Sequence, residues 1–122
     1  MFSPGMTFIP LQNYLRTYRR RTFLSQDEVA FLLGVATGTR VTRHEGAHRT
    51  PTMETALGYE VLFGVPLREL FASEAQKVET IIRQRLPELI RRIEERGGSE
   101  EKLASLRNLA GRLAKPYENA CN

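Results

Sequence analysis

Residues 24–45, LSQDEVAFLLGVATGTRVTRHE, decide how the rest of the chain is read. Ser25 and Glu28 stand in the S-x-x-E arrangement of a capping box, in which hydroxyl and carboxylate each bond the other residue's amide. Leu24, just outside the cap, is placed to staple onto Val29 or Phe31. Val29, Ala30 and Leu33 then fall on one side at helical spacing, and Gly34 ends the helix where positive φ is cheap. A second short helix begins at Thr37 or Thr39, with Val41 inward, Thr39, Arg40, Thr42 and Arg43 outward, and a stop at Gly46. Two helices of this size joined by a tight turn make a helix-turn-helix.

Around that pair the spacing predicts an all-α domain of five helices. A first helix over residues 10–21 carries Leu11, Tyr14, Leu15 and Tyr18 inward and Arg16, Arg19, Arg20 and Arg21 on its later turns. Those arginines are a solvated helix end or, for some of them, phosphate contacts. A loop over residues 46–51 holds His48 and Arg49. Thr52 caps a fourth helix ending near Phe63, with Met53, Ala56, Leu57, Glu60 and Val61 giving a partly apolar face, and Gly64 stops it. Pro66 starts a short fifth helix from Leu67 to Phe71. The expected organisation is an arm over 1–9, a domain over 10–72 and a C-terminal pair of helices over 73–122.

In that last part Val78, Ile81, Ile82, Leu86, Leu89, Ile90 and Ile93 recur at threes and fours, interrupted by Pro87, which kinks the helix or opens a new one. Gly97 and Gly98 break it, and Ser99 caps another helix with Leu103, Leu106, Leu109, Ala110 and Leu113 on one face. An amphipathic αα-hairpin results. It packs on itself, docks on the first domain or pairs with a second copy, and a homodimer is the preferred expectation.

A net charge of +4 points weakly to a polyanion. Residues 1–71 hold 8 basic and 6 acidic side chains and residues 72–122 hold 10 and 8, so each part is only +2. A nucleic-acid face must therefore be gathered by the fold. The single cysteine, Cys121, cannot close an internal disulfide, and MFSPGMTFIP lacks the basic start and apolar core of a signal peptide. With no apolar run of about 18 residues, the expectation is a cytoplasmic protein without membrane contact.

The segments LSQDEVAFLLGV, VTRHE, RTPTMETAL and FGVPLRELF, in that order and spacing, resemble the lambda-repressor/Cro-like helix-turn-helix of bacterial and phage transcription regulators, the xenobiotic-response-element type. The resemblance covers residues 15–71 and leaves the C-terminal helices outside it. It implies that Gln26 holds a DNA phosphate and that Arg19 and Glu45 form a partly buried ion pair tying the first helix to the end of the recognition helix. GVATGTRVTRHE has one residue more than the usual spacing, accommodated by a longer turn with Thr37 as N-cap. Gly38 then occupies the first recognition-helix position, where many relatives use glutamine to read adenine. Thr39 and Arg43 become the base readers, Arg40 and Thr42 serve base or phosphate, and His48 and Arg49 hold phosphate.

The same region contains HEGAH, residues 44–48, which matches the zinc-hydrolase pattern H-E-x-x-H. That chemistry needs five residues in one continuous helix and a third ligand, whereas Gly46 interrupts this one and the chain has no third histidine. The sequence reading is therefore a sequence-specific regulator of double-stranded DNA on a two-fold operator, with no enzyme activity, cofactor or metal. The alternative is an antitoxin-type adaptor that binds protein through its C-terminal helices.

Overall fold

The computed structural model describes residues 12–115. Among these the chain is helical throughout, with seven helices and no strand: α1 Leu15–Thr22, α2 Gln26–Leu33, α3 Gly38–Glu45, α4 Met53–Phe63, α5 Leu67–Leu70, α6 Ala72–Arg96 and α7 Glu100–Leu113. No described helix is long and apolar enough to cross a membrane. The chain divides into two compact units, the first running through Ala75 and the second starting at Gln76.

The first unit is built round Leu15, Val29, Ala30, Val41, Tyr59, Val65 and Leu70, all buried. Each helix contributes because its neighbours stop it at the right length. The α2 cap forms as expected: the Ser25 hydroxyl accepts from the Glu28 amide at 3.0 Å and the Ser25 amide donates to Glu28 Oε1 at 2.8 Å. Those hydrogen bonds hold the Glu28 carboxyl below its usual range. Gly34 and Gly64 close α2 and α4 in the left-handed region. Thr52 caps α4 by accepting from the Thr55 amide at 3.2 Å, and Leu24 packs on the core while Phe31 stays exposed.

Three expectations change. First, α1 begins at Leu15 rather than near residue 10, because the Asn13 side chain accepts from the Leu15 amide at 3.1 Å and fixes the start there. The residues expected in its first turns, Pro10 and Leu11, lie outside the described residues, as do the arm over 1–9 and Cys121. Second, α4 turns a different face inward. Tyr59, Leu62 and Phe63 pack on the core, and Met53, Leu57 and Val61 are exposed. Both stripes are apolar, so periodicity alone could not rank them. Leu33 sits so close over Gly58 that a Cβ there would clash, and this contact orients the helix. Glu60 is not part of an apolar face either, since its Oε1 accepts the Leu67 amide at 2.9 Å and starts α5.

Third, α6 runs unbroken through Pro87. In the second unit α6 and α7 run antiparallel, joined by Arg83 Nη2 to the Leu113 carbonyl at 2.8 Å and by the Arg107–Glu94 ion pair at 3.0 Å. Gly97, with φ 69°, ends α6, and Ser99 caps α7 by accepting from the Lys102 amide. Of the stripe expected inward, only Leu86 and Leu103 are buried, and Val78, Ile81, Ile82 and Leu89 are exposed.

Candidate nucleic-acid interface

The short helix α3 is held from three sides, and what is not held forms the candidate surface. Val41 and His44 are buried on its inner face, and Gly38 is buried at its start. Thr37 is the N-cap by position, but its side chain makes no capping hydrogen bond. Asp27, in the first turn of α2, replaces it: Asp27 Oδ1 accepts the Gly38 amide at 3.2 Å. A Cβ at Gly38 would run into that carboxylate and approach the Asp27 amide nitrogen to 3.0 Å, so α2 and α3 meet where only glycine fits. Gly38 is thus a packing residue turned inward, not a position on the outward face.

The far end of α3 is tied to α1. Arg19 Nε donates to Glu45 Oε2 at 2.6 Å and Nη2 to Oε1 at 3.2 Å, with the side chains 13% and 5% exposed. A further guanidinium bond from Nη1 reaches the Leu24 carbonyl at 3.0 Å. The Asn13 amide group donates to the His44 carbonyl at 2.9 Å. Beneath it, His44 Nδ1 and the Tyr59 hydroxyl are hydrogen bonded at 2.9 Å with their rings edge to face. Burial lowers the His44 pKa, helped by the charges of Arg49 and Arg40. Burial likewise raises that of Tyr59, with Glu45 adding to the effect.

Gln26 joins this framework. Its amide nitrogen donates to Glu45 Oε1 at 3.0 Å, and its oxygen accepts from the Thr42 hydroxyl at 2.7 Å. Gln26 and Thr42 are therefore locked to each other. Arg16, Ser25, Gln26, Thr42 and His48 lie round an open cleft of about 570 Å³ floored by the Arg19–Glu45 pair. Thr37, Thr39, Thr42 and Arg43 are exposed on or beside α3, Arg40 is half-buried, and His48 and Arg49 are exposed in the following loop. That loop turns back on α3, since the His48 and Arg49 amides both donate to the Arg43 carbonyl, at 2.9 and 3.3 Å.

Of the residues assigned to DNA from the sequence, Gln26, Thr42 and His48 line the cleft, Thr37, Thr39, Arg43 and Arg49 are exposed on or beside α3, Arg40 is half-buried and Gly38 is buried. Asp27, Asn13 and the pairing of His44 with Tyr59 were not singled out, while Arg16, one of the α1 arginines considered for phosphate contact, lines the cleft. Asp27 and Asn13 carry the cue of short polar side chains at helix starts. His44 and Tyr59 carry none, because their pairing is made across 15 residues of chain.

The histidines of HEGAH do not share a helix. Glu45 is the last residue of α3, Ala47 has φ 60°, His44 is buried against Tyr59 and His48 is exposed. Glu45 is occupied by Arg19 and Gln26. Among the described residues no three His, Cys, Asp or Glu side chains are grouped to hold a metal ion. No protein-family model, curated protein sequence or solved structure matches this chain.

Proposed function

We propose that the first unit is a repressor-like helix-turn-helix, α2 and α3, and that it binds double-stranded DNA by laying the outward face of α3 in the major groove. The observation that carries this reading is the two-sidedness of α3. Gly38, Val41 and His44 anchor it, Glu45 is clamped by Arg19, and the Thr39 and Arg43 side chains are exposed with no hydrogen-bond partner among the described residues. Arginine reading guanine O6 and N7 is the commonest specific contact in that groove, and a threonine methyl suits thymine. Arg43 and Thr39 take those roles, and Arg40 takes base or phosphate.

The cleft lined by Arg16, Ser25, Gln26 and His48 supplies the positioning contacts. The α2 amides and the Gln26 amide group face a backbone phosphate there, with Arg49 adding charge on the loop. Preset rotamers at Gln26 and Thr42 mean that little side-chain freedom is lost on binding. Such a protein acts by occupying promoter DNA as a transcription regulator. Two copies on a two-fold operator would read half-sites about 34 Å apart.

Selection of bound duplexes from a random pool tests the reading. The expected result is a defined motif, bound with log K falling steeply against log salt. Recovery of no motif, together with salt-independent or absent binding, overturns it.

A further inference from the structure

Four side chains from three helices are joined end to end at the candidate interface. Arg19 of α1 donates from Nε and Nη2 to the Glu45 carboxylate at the end of α3. Gln26, the first residue of α2, donates from Nε2 to Glu45 Oε1 at 3.0 Å. Thr42 of α3 donates to Gln26 Oε1 at 2.7 Å. The Glu45 side chain is nearly buried and Thr42 is exposed, so this relay of hydrogen bonds runs from beneath the surface out to it.

The relay has a direction, and the ion pair sets it. A carboxylate held by a guanidinium is an acceptor only. Gln26 must therefore turn its amide nitrogen, not its oxygen, toward Glu45, and Gln26 Oε1 is left facing Thr42. Thr42 has a single hydroxyl proton to give. It also lies 3.0 Å from the Gly38 carbonyl, the bond a helical threonine makes to the turn before it. Were the proton turned to Gly38, oxygen lone pairs would face each other at the 2.7 Å contact, so Gln26 receives it. The Thr42 hydroxyl then keeps only lone pairs and its methyl for a ligand. Gln26 keeps a second N–H that has no acceptor among the described residues, and it lines the cleft with Arg16, Ser25 and His48.

We infer that Thr42 is a positioning residue and not a phosphate ligand: it holds the Gln26 amide so that the remaining N–H donates to a backbone phosphate of the duplex in the cleft. Thr42 cannot itself donate to a phosphate oxygen, because its proton is committed. The orientation is passed outward from Arg19 through Glu45 and Gln26, so the surface donor is set before DNA arrives. The phosphate contact rests on the DNA reading given above, whereas the directed relay belongs to the protein alone.

Thr42→Val, Thr42→Ser and Gln26→Ala in the full chain test this. Without DNA, the Gln26 side-chain amide signals in a nitrogen–proton correlation spectrum should move in Thr42→Val, which keeps the shape and removes the donor. In Thr42→Ser, which keeps the hydroxyl, they should stay near their wild-type places. With DNA, Thr42→Val should weaken binding about three- to tenfold for all duplexes alike and leave the order of preference unchanged. Thr42→Ser should recover most of that loss. Added to Gln26→Ala, Thr42→Val should change affinity by less than about twofold, because the two residues act as a unit. Three results overturn the inference: amide signals unmoved in Thr42→Val, an altered preference at one base pair, which would make Thr42 a direct reader, or losses from the two changes that multiply. A wild-type protein that binds no duplex while its amide response is intact sinks the DNA reading and the phosphate contact, and leaves the relay standing.

Discussion

Replacing Arg19 with methionine should unfold the first unit far more readily than any surface arginine change. Arg19 and Glu45 are 13% and 5% exposed, and the guanidinium makes three hydrogen bonds, two to the carboxylate and one to the Leu24 carbonyl. Methionine keeps the stem's volume and removes all three. Glu45 is then left charged and nearly buried, with only the neutral Gln26 amide beside it. Breaking a buried pair from one side costs about 3–5 kcal/mol, whereas an exposed pair contributes about 0–1 kcal/mol. Removing both charges, in Arg19→Met with Glu45→Leu, should cost well under the sum of the single changes, because no uncompensated charge remains. Urea unfolding followed by circular dichroism at pH 7 gives the three free energies. Raising the salt to about 0.5 M should change the wild-type result little, since a buried pair is weakly screened. A loss below about 1 kcal/mol for Arg19→Met, or strict additivity of the two changes, would refute the claim that this pair fixes the end of α3.

Arg43→Ala should cost about 1–3 kcal/mol of binding to a selected duplex and relax preference at one base pair, whereas Arg49→Ala should weaken all duplexes alike and reduce the salt slope by about 1. Competition binding against single-base variants separates the two, and an unchanged preference for Arg43→Ala would count against the groove-facing assignment. Gly38→Ala should lose about 1–3 kcal/mol because the methyl meets Asp27. Gly111→Ala, a helical site in α7 with open space round it, should gain up to about 1 kcal/mol, and equal effects at the two sites would contradict the packing assigned to Gly38. His44 has a folded pKa below its ordinary value of 6.5, so the unfolded chain binds more protons there than the folded one. Stability should therefore fall as pH drops below about 6.5, by at most about 1.4 kcal/mol per pH unit. His44→Gln should flatten that dependence between pH 7 and 5, and an unaltered slope would show that another group sets it.

The two helices at the centre of the first unit were legible because their signals are local. Ser25 with Glu28, Gly34, Thr52, Gly64 and Ser99 act on amides and carbonyls within a few residues, so sequence order alone brings the partners together. The outward set on α3 followed from 3.6-residue spacing once Val41 was taken as the inward residue. For the same reason the α1 start was misjudged, since Asn13 works through a side-chain bond to Leu15 that competes with a longer helix.

What the chain order could not settle is which apolar stripe meets which neighbour. In α4 two apolar faces were available, and the approach of Leu33 to Gly58 together with the His44–Tyr59 bond selected the one holding Tyr59. Gly38 looked like the first outward position of a helix, yet Asp27 closes over it from α2. Gln26 and Thr42 looked independent and are hydrogen bonded across 16 residues. In α6 a single long stripe was visible, but only packing against α7 showed which part is left uncovered. Caps, stops and periodicity arise from interactions a turn or so long, which the sequence carries by itself. The choice of face, and the burial of a polar group, depend on partners brought near only when the helices have packed.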